Sequence, residues 1–197
     1  ARVVAVLGSG RELVERELPP EVRVAVQEEQ LGTGHAVLTA RPHLDGLDRC
    51  LVMSGDVPLI RPETLARLAA GLDAAECTVA TFFPEDPAGY GRIVRNEAGG
   101  IDIVEEADAT TAVREIREAN AGTYGFRAAP LWRALAAVGK NNRQGEYYLT
   151  DAIGMMKASA APVADPVEAR GVNTPADLQR LEAAARRGEN GGRHEHS

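Results

Sequence analysis

Apolar positions along this chain fall into short runs, separated by stretches with a helical period. Val3–Leu7 is a continuous apolar run that reads as a buried strand, and Gly8-Ser9-Gly10 turns it into a helix over Arg11–Leu18. Pro19-Pro20 stops that helix, Val22–Gln27 is the next strand and Thr33–Arg41 the next helix. Cys50–Ser54 is a third strand. In the helix over Pro62–Leu72, Leu65, Leu68 and Leu72 form one buried face. Cys77–Phe83 is a fourth strand. Regular alternation with short connections predicts an α/β fold, a doubly wound and largely parallel twisted sheet.

After Phe83 the rhythm changes. Pro84–Gly91 is turn-rich, and Arg92–Arg95 with Ile101–Glu105 flank Asn96–Gly100 as a small β-hairpin subregion. Ala121–Arg127 reads as a strand, Pro130–Val138 as a helix with proline in its first turn, and Gly139–Gly145 as a polar loop. Tyr148–Ala158 is predicted helical, Val163–Ala169 strand-like, and Pro175–Arg187 a closing helix. Gly188–Ser197 is small, polar and charged and reads as a disordered tail.

The 197 residues suffice for one well-buried domain. The formal net charge of −7 disfavours a nucleic-acid binder, which needs a basic excess. No apolar stretch approaches the ~20 residues that span a bilayer, and no signal peptide is visible. The expected setting is therefore the cytoplasm, without nucleic-acid or membrane partners. Cys50 and Cys77 start two strand-like runs and read as buried free thiols, with nothing favouring a disulfide between them.

Two apolar runs end in polar groups, Gln27–Ala36 and Leu51–Leu59. That is how a parallel strand delivers ligand-binding groups to the carboxyl edge of a sheet. Gly32-Thr33-Gly34 permits close backbone approach, and Asp56 is a hard oxygen ligand of the kind Mg²⁺ takes beside a phosphate. Gly8-Ser9-Gly10 does not extend to a dinucleotide fingerprint, because Leu13 stands at the third glycine and Gln27 at the ribose acid. Gly89-Tyr90-Gly91 suits either a loop lying on a planar or sugar-like ligand or an ordinary turn into a hairpin. Asn173, in Gly171–Pro175, reads as part of a helix cap or as a second metal ligand.

Seven segments in order resemble the uridylyltransferase domain of bifunctional N-acetylglucosamine-1-phosphate uridylyltransferases, within the sugar-1-phosphate nucleotidyltransferases. They are Gln27–Ala36, Gly55–Leu59, Gly89–Ile93, Val104-Glu105, Asn120-Ala121-Gly122, Gly145–Asp151 and Gly171-Val172-Asn173. The resemblance covers about residues 1–187 and implies a Rossmann-like nucleotidyltransferase fold. It also implies transfer of uridylyl from UTP to N-acetylglucosamine-1-phosphate. The products are UDP-N-acetylglucosamine, a peptidoglycan and cell-wall precursor, and pyrophosphate. By the same resemblance, Gln27, Gln30, Gly32 and Thr33 bind uracil and ribose. Gly91, Glu105 and Asn120 read the sugar, and Asp56 and Asn173 are the catalytic pair that holds Mg²⁺.

The family's pattern is not followed throughout. Its glycine-rich first strand–loop–helix unit, with an Arg and a Lys, has no counterpart before Arg2, and no hexapeptide repeat of an acetyltransferase domain occurs. Without that loop the expectation is feeble turnover, below about 1 s⁻¹, and possible self-association through an uncovered strand edge. Ser54 replaces the usual Tyr, and Ala121 the usual Thr, both expected near the sugar. These changes leave open a related nucleotidyltransferase for another sugar or base, and a catalytically silent nucleotide-sugar-binding module is a further alternative.

Overall fold

The structure, a computed structural model, describes residues 2–96 and 99–191. Eight strands and seven α-helices follow one another as β1 (Val4–Leu7), α1 (Arg11–Glu15), β2 (Arg23–Val26), α2 (Thr33–Ala40), β3 (Arg49–Met53), α3 (Pro62–Gly71), β4 (Cys77–Phe82), β5 (Arg92–Arg95), β6 (Ile101–Val104), α4 (Thr111–Arg114), β7 (Ala119–Arg127), α5 (Ala128–Ala137), α6 (Leu149–Gly154), β8 (Ala158–Pro162) and α7 (Pro175–Gly191). Strands β1 and β2 pair in parallel as a two-stranded sheet. The second sheet has the order β6-β5-β7-β4-β8, with β3 also on β7.

Strand β4 is buried along its whole length and lies between β7 and β8. Its alternating side chains serve two cores. Cys77 and Val79 join Phe126, Leu131, Leu135 and Ile153 against α2, α5 and α6. Ala80 and Phe82 join Leu68, Ala119 and Ala121 against α3. The two hydroxyls in this apolar strand are satisfied: Thr78 donates to the Leu68 carbonyl at 2.8 Å and Thr81 to Glu118 Oε1 at 2.9 Å.

Strands β3, β4, β5 and β8 run one way, since β8 is parallel to β4 and the other three are each antiparallel to β7. The expected α/β fold forms, with four strands of this sheet sharing one direction and β6 and β7 running in reverse. One edge of β7 is covered by β4. Its other edge is shared: Ala119 pairs with β5, and Thr123–Arg127 pair with β3. Cys50 and Cys77 both lie opposite Phe126, on either side of it. The two thiols are thus two strand spacings apart, about 9–10 Å, beyond disulfide reach. Both are free, and burial pushes Cys50 up to about 11.

Four expectations shift. The helix predicted over Tyr148–Ala158 is only α6, and the late strand is Ala158–Pro162 rather than Val163–Ala169, where a 3-10 turn (Pro166–Ala169) forms instead. Ala-Ser-Ala-Ala has no strand signature; pairing with β4 from Cys77↔Ala158 to Thr81↔Pro162 makes it a strand. The first helix ends at Glu15 instead of Leu18, and the last runs to Gly191 instead of Arg187. Residues 192–197, the rest of the expected tail, lie outside the described residues, as do 97 and 98 in the expected hairpin loop. Among the described residues no helix is long and apolar enough to cross a membrane.

Gly122, at φ 69°, is where β7 changes neighbours, and a Cβ there would lie 2.8 Å from Ser54 Oγ. Gly122→Ala is expected to lower stability by about 1–2 kcal/mol from the left-handed backbone alone. Urea denaturation measures it, and Ser54→Gly in the same chain should recover only the part due to the clash.

Candidate functional site

The fork on β7 leaves a gap between the end of β3 and the start of β5. From one side Ser54-Gly55-Asp56 leaves β3, with Ser54 N–H and Oγ–H both donating to the Gly122 carbonyl at 3.1 Å. From the other side Gly91 leads into β5, and its carbonyl accepts from Asn120 N at 2.9 Å. The Asn120 side chain is fixed at both ends. Its Oδ1 accepts from Gly122 N at 3.1 Å, and its amide donates to Tyr124 Oη at 2.7 Å.

Glu105, just after β6, lies beside Gly91: a Cβ on that glycine would be 3.3 Å from Glu105 Oε2. Oε1 accepts from Thr150 Oγ at 3.0 Å. Burial pushes the Glu105 carboxyl above its ordinary 4.5; the Thr150 bond works against this, and the charges of Asp151 and Asp108 add to it. Asp151 is raised as well, by its own burial first and then by Asp108. These acids compete for one space, which therefore favours neutral or hydroxyl-rich groups, or a bound cation.

Thr150 leads back to the glycine turn. Its neighbour Leu149 donates its N–H to Thr33 Oγ at 3.0 Å, Gly34 N donates to the Tyr147 carbonyl at 2.7 Å, and Tyr147 N to the Leu31 carbonyl at 2.8 Å. A Cβ at Gly32 would stand 2.7 Å from the Tyr147 oxygen, and Gly32 holds φ at 107°. The missing Cβ atoms at Gly32 and Gly34 thus admit the protein's own 145–149 segment on that side. Gln27 donates from its amide to the Gly32 carbonyl at 3.1 Å and pairs with His35 Nδ1 at 2.9 Å. Gln30 lies over Gly8, where a Cβ would meet its Nε2 at 2.7 Å.

Asp56 and Asn173 converge. A Cβ on Gly171 would lie 3.4 Å from Asp56 Oδ2 and 3.6 Å from Asn173 Nδ2, so the glycine keeps open a space that both side chains border. Val172 N also donates to the Asp56 carbonyl at 2.8 Å. Asn173 follows a 3-10 turn rather than a strand, and the capping function beside it belongs to Thr174. Asp177 N donates to Thr174 Oγ at 3.2 Å, and Thr174 N to Asp177 Oδ2 at 2.9 Å. Capping therefore does not use the Asn173 side chain. No group of three or more His, Cys, Asp or Glu able to hold a metal occurs among the described residues. One carboxylate and one amide around an open space fit Mg²⁺, which keeps its waters and borrows substrate phosphates.

Gln27, Thr33, Glu105, Gly91, Asn120, Ser54, Asp56 and Asn173 are in this way joined in one chain of contacts. Tyr90 packs edge-on against Phe82, with ring centres 4.9 Å apart. The Ala121 methyl belongs to the core cluster on the α3 side, whereas Ser54 does lie at the gap. Thr150 and Tyr124 are not among the site residues expected from the sequence. Both are buried, and both hold a site side chain. A polar residue inside an apolar stretch was the available signal.

Residues 1–150 match the family model of the MobA-like NTP transferase domain. The chain is 49% identical over 189 residues to Bifunctional protein GlmU of Geobacter metallireducens, covering 90% of this chain and 40% of that protein. It is 45% identical over 195 residues to the protein of the same name from Pelotomaculum thermopropionicum, covering 94% and 43%. The chain thus spans about two fifths of the length of these relatives. A crystal structure from Bacillus anthracis, assigned as a glucose-1-phosphate thymidylyltransferase and holding a sucrose, superposes with a TM-score of 0.67 at 18% identity. It covers 93% of this chain and 75% of that one, and shares the fold.

Glu105→Gln removes a buried charge while keeping its shape. The native carboxyl has a raised pKa, so the stability it contributes is fully present below its unfolded value near 4.5 and is lost as pH rises through the folded value. The variant should therefore melt higher than wild type at pH 7–8, and the two should converge near pH 4. Each ~1 kcal/mol relieved is worth roughly 2–4 °C in a chain of this size. Differential scanning calorimetry across that range checks the sign.

Proposed function

This chain belongs to the MobA-like NTP transferase domain family, and from that premise we propose that it transfers uridylyl from UTP to N-acetylglucosamine-1-phosphate. The observation that supports this reading is the chain of polar contacts that joins Gln27 and Thr33 through Glu105 and Asn120 to Asp56 and Asn173. Similarity to the two proteins named Bifunctional protein GlmU supports the same choice.

On this reading a phosphate oxygen of the sugar phosphate attacks the α-phosphorus of UTP. A new P–O bond forms as the bond to the β-phosphate bridging oxygen breaks, and pyrophosphate leaves with that electron pair. No protein nucleophile is needed; positioning and charge stabilisation supply the acceleration. Gln27, Gln30, Gly32 and Thr33 hold uracil and ribose, with the Gln27 amide already oriented by His35 and the Gly32 carbonyl. Gly91, Glu105 and Asn120 receive the sugar hydroxyls and N-acetyl group. Asp56 and Asn173 would hold Mg²⁺, which neutralises phosphate charge when bound. The setting is a cytoplasmic supply of UDP-N-acetylglucosamine for cell-wall synthesis. The open edge of β3, where Leu51 and Met53 are exposed, is the surface through which copies of the chain would associate.

Pyrophosphate release and UDP-N-acetylglucosamine formation should appear together, one for one, with UTP, N-acetylglucosamine-1-phosphate and Mg²⁺. They should fall well below this level with GTP, dTTP or glucose-1-phosphate. Asn120→Ala should cost about 1–3 kcal/mol of transition-state binding, a drop of roughly 5- to 150-fold in kcat/KM. Higher turnover with another base or sugar would move the assignment to that substrate. Binding without any release would reduce it to a binding module.

A further inference from the structure

Glu168 is 1% exposed and has no part in the chemistry above. It sits in the 3-10 turn Pro166–Ala169, five residues before Asn173. Its Oε2 accepts from Thr64 Oγ at 2.7 Å and from Arg61 N at 3.2 Å, at the start of α3 and five residues beyond Asp56. Arg61 reaches back across the same junction, with Nη2 2.9 Å from Asp165 Oδ2 and Nε 3.8 Å from Glu168 Oε1. Arg67 joins Thr64 Oγ at 2.9 Å to the Pro162 carbonyl at 3.4 Å. Apart from the Arg67–Thr64 bond within α3, these contacts run between two short segments, 61–67 and 162–168.

Each segment continues into one half of the metal pair. The loop 56–61 carries Asp56 and the loop 168–173 carries Asn173. The loops are tied at one end by Val172 N to the Asp56 carbonyl and at the other by Glu168. We propose that Glu168 is a positioning residue for the Asp56–Asn173 pair, its buried carboxylate fixing the separation of the two loops from beneath.

A carboxylate suits this place physically. It accepts from an N–H and a hydroxyl together at a helix start, where the α3 dipole favours negative charge. A well-packed apolar residue often serves stability as well as a buried ion pair does. What the carboxylate adds here is direction: it fixes two partners on α3 at once and so sets the register of one loop against the other. The inference rests on the metal-pair reading of Asp56 and Asn173.

The test measures Mn²⁺ binding by electron paramagnetic resonance with saturating UDP-N-acetylglucosamine, and uridine binding by calorimetry without metal. Glu168→Leu should weaken Mn²⁺ binding about tenfold or more, as loss of a ligand-orienting partner does, while uridine binding stays unchanged. Glu168→Gln, whose carbonyl still accepts from Thr64 and Arg61 N, should recover most of the loss. If Glu168→Leu does not fold, Arg61→Ala replaces it, since that side chain is half exposed; it should weaken Mn²⁺ binding by about two- to fivefold. Mn²⁺ binding equal to wild type in the folded variant would overturn the proposal and leave the metal pair standing. Equal losses of Mn²⁺ and uridine affinity would also overturn it, since they mark a general loosening. Absence of Mn²⁺ binding in the wild type would overturn the metal pair, and the positioning role with it.

Discussion

The arrangement depends on the bulge in β7 at Gly122. In a regular strand, side chains four residues apart stand about 13 Å from each other. Yet Asn120 Nδ2 and Tyr124 Oη are 2.7 Å apart, because this stretch of β7 is bulged: Asn120 lies opposite Thr81 and Tyr124 opposite Val79, so four residues of β7 span two of β4. The left-handed turn at Gly122 makes this possible, and the β4–β7 ladder slips at the same level, between Val79 and Thr81. Beyond the kink β7 pairs with β3, and before it with β5. Two strands that would otherwise compete for one edge are thus placed end to end, with a gap between them. Asp56 and Ser54 enter that gap from one side, Gly91 and Glu105 from the other.

Open α/β sheets bind ligands where neighbouring strands part, because the crevice there exposes loops without breaking ladders. Here the crevice arises from a reversed strand. The same device brings Ser54 within bonding distance of Gly122 and places the Asn120 amide between two fixed partners. A side chain held this way loses little freedom on meeting a ligand, which is the advantage of preorganisation. The buried acid Glu105 is the counterpart in energetic terms: its environment resists the charged form, and a ligand hydroxyl or amide that donates to it relieves that cost.

Much of this was legible in the sequence. The alternation of runs from Val3 to Phe83 marks βα units, and Asp56 and Gly91 declare themselves by following or preceding such runs. Asn173 was read beside a helix start, but that Thr174 and Asp177 make the cap there emerges only in three dimensions. Other features had no local signal. The small residues of Ala158–Pro162 look helical and become a strand through β4 alone. The direction of β7 depends on which neighbours it meets, a tertiary matter that periodicity does not encode. Thr150 and Glu168 find their partners 45 and 104 residues away, and nothing in their own segments announces those bonds.

On the function proposed above, the groups around the β7 fork, the glycine turn at Gly32 and the Asp56–Asn173 pair form one ligand site. Amide chemical-shift mapping of the ¹⁵N-labelled protein, titrated with UDP-N-acetylglucosamine and Mg²⁺, measures this directly. Residues 30–34, 54–56, 91, 105, 120–122 and 171–173 should move together along one binding curve. Shifts confined to one of these groups, or centred elsewhere, for example around Leu59, Val167 and Ala184 where a separate cavity lies, would contradict it.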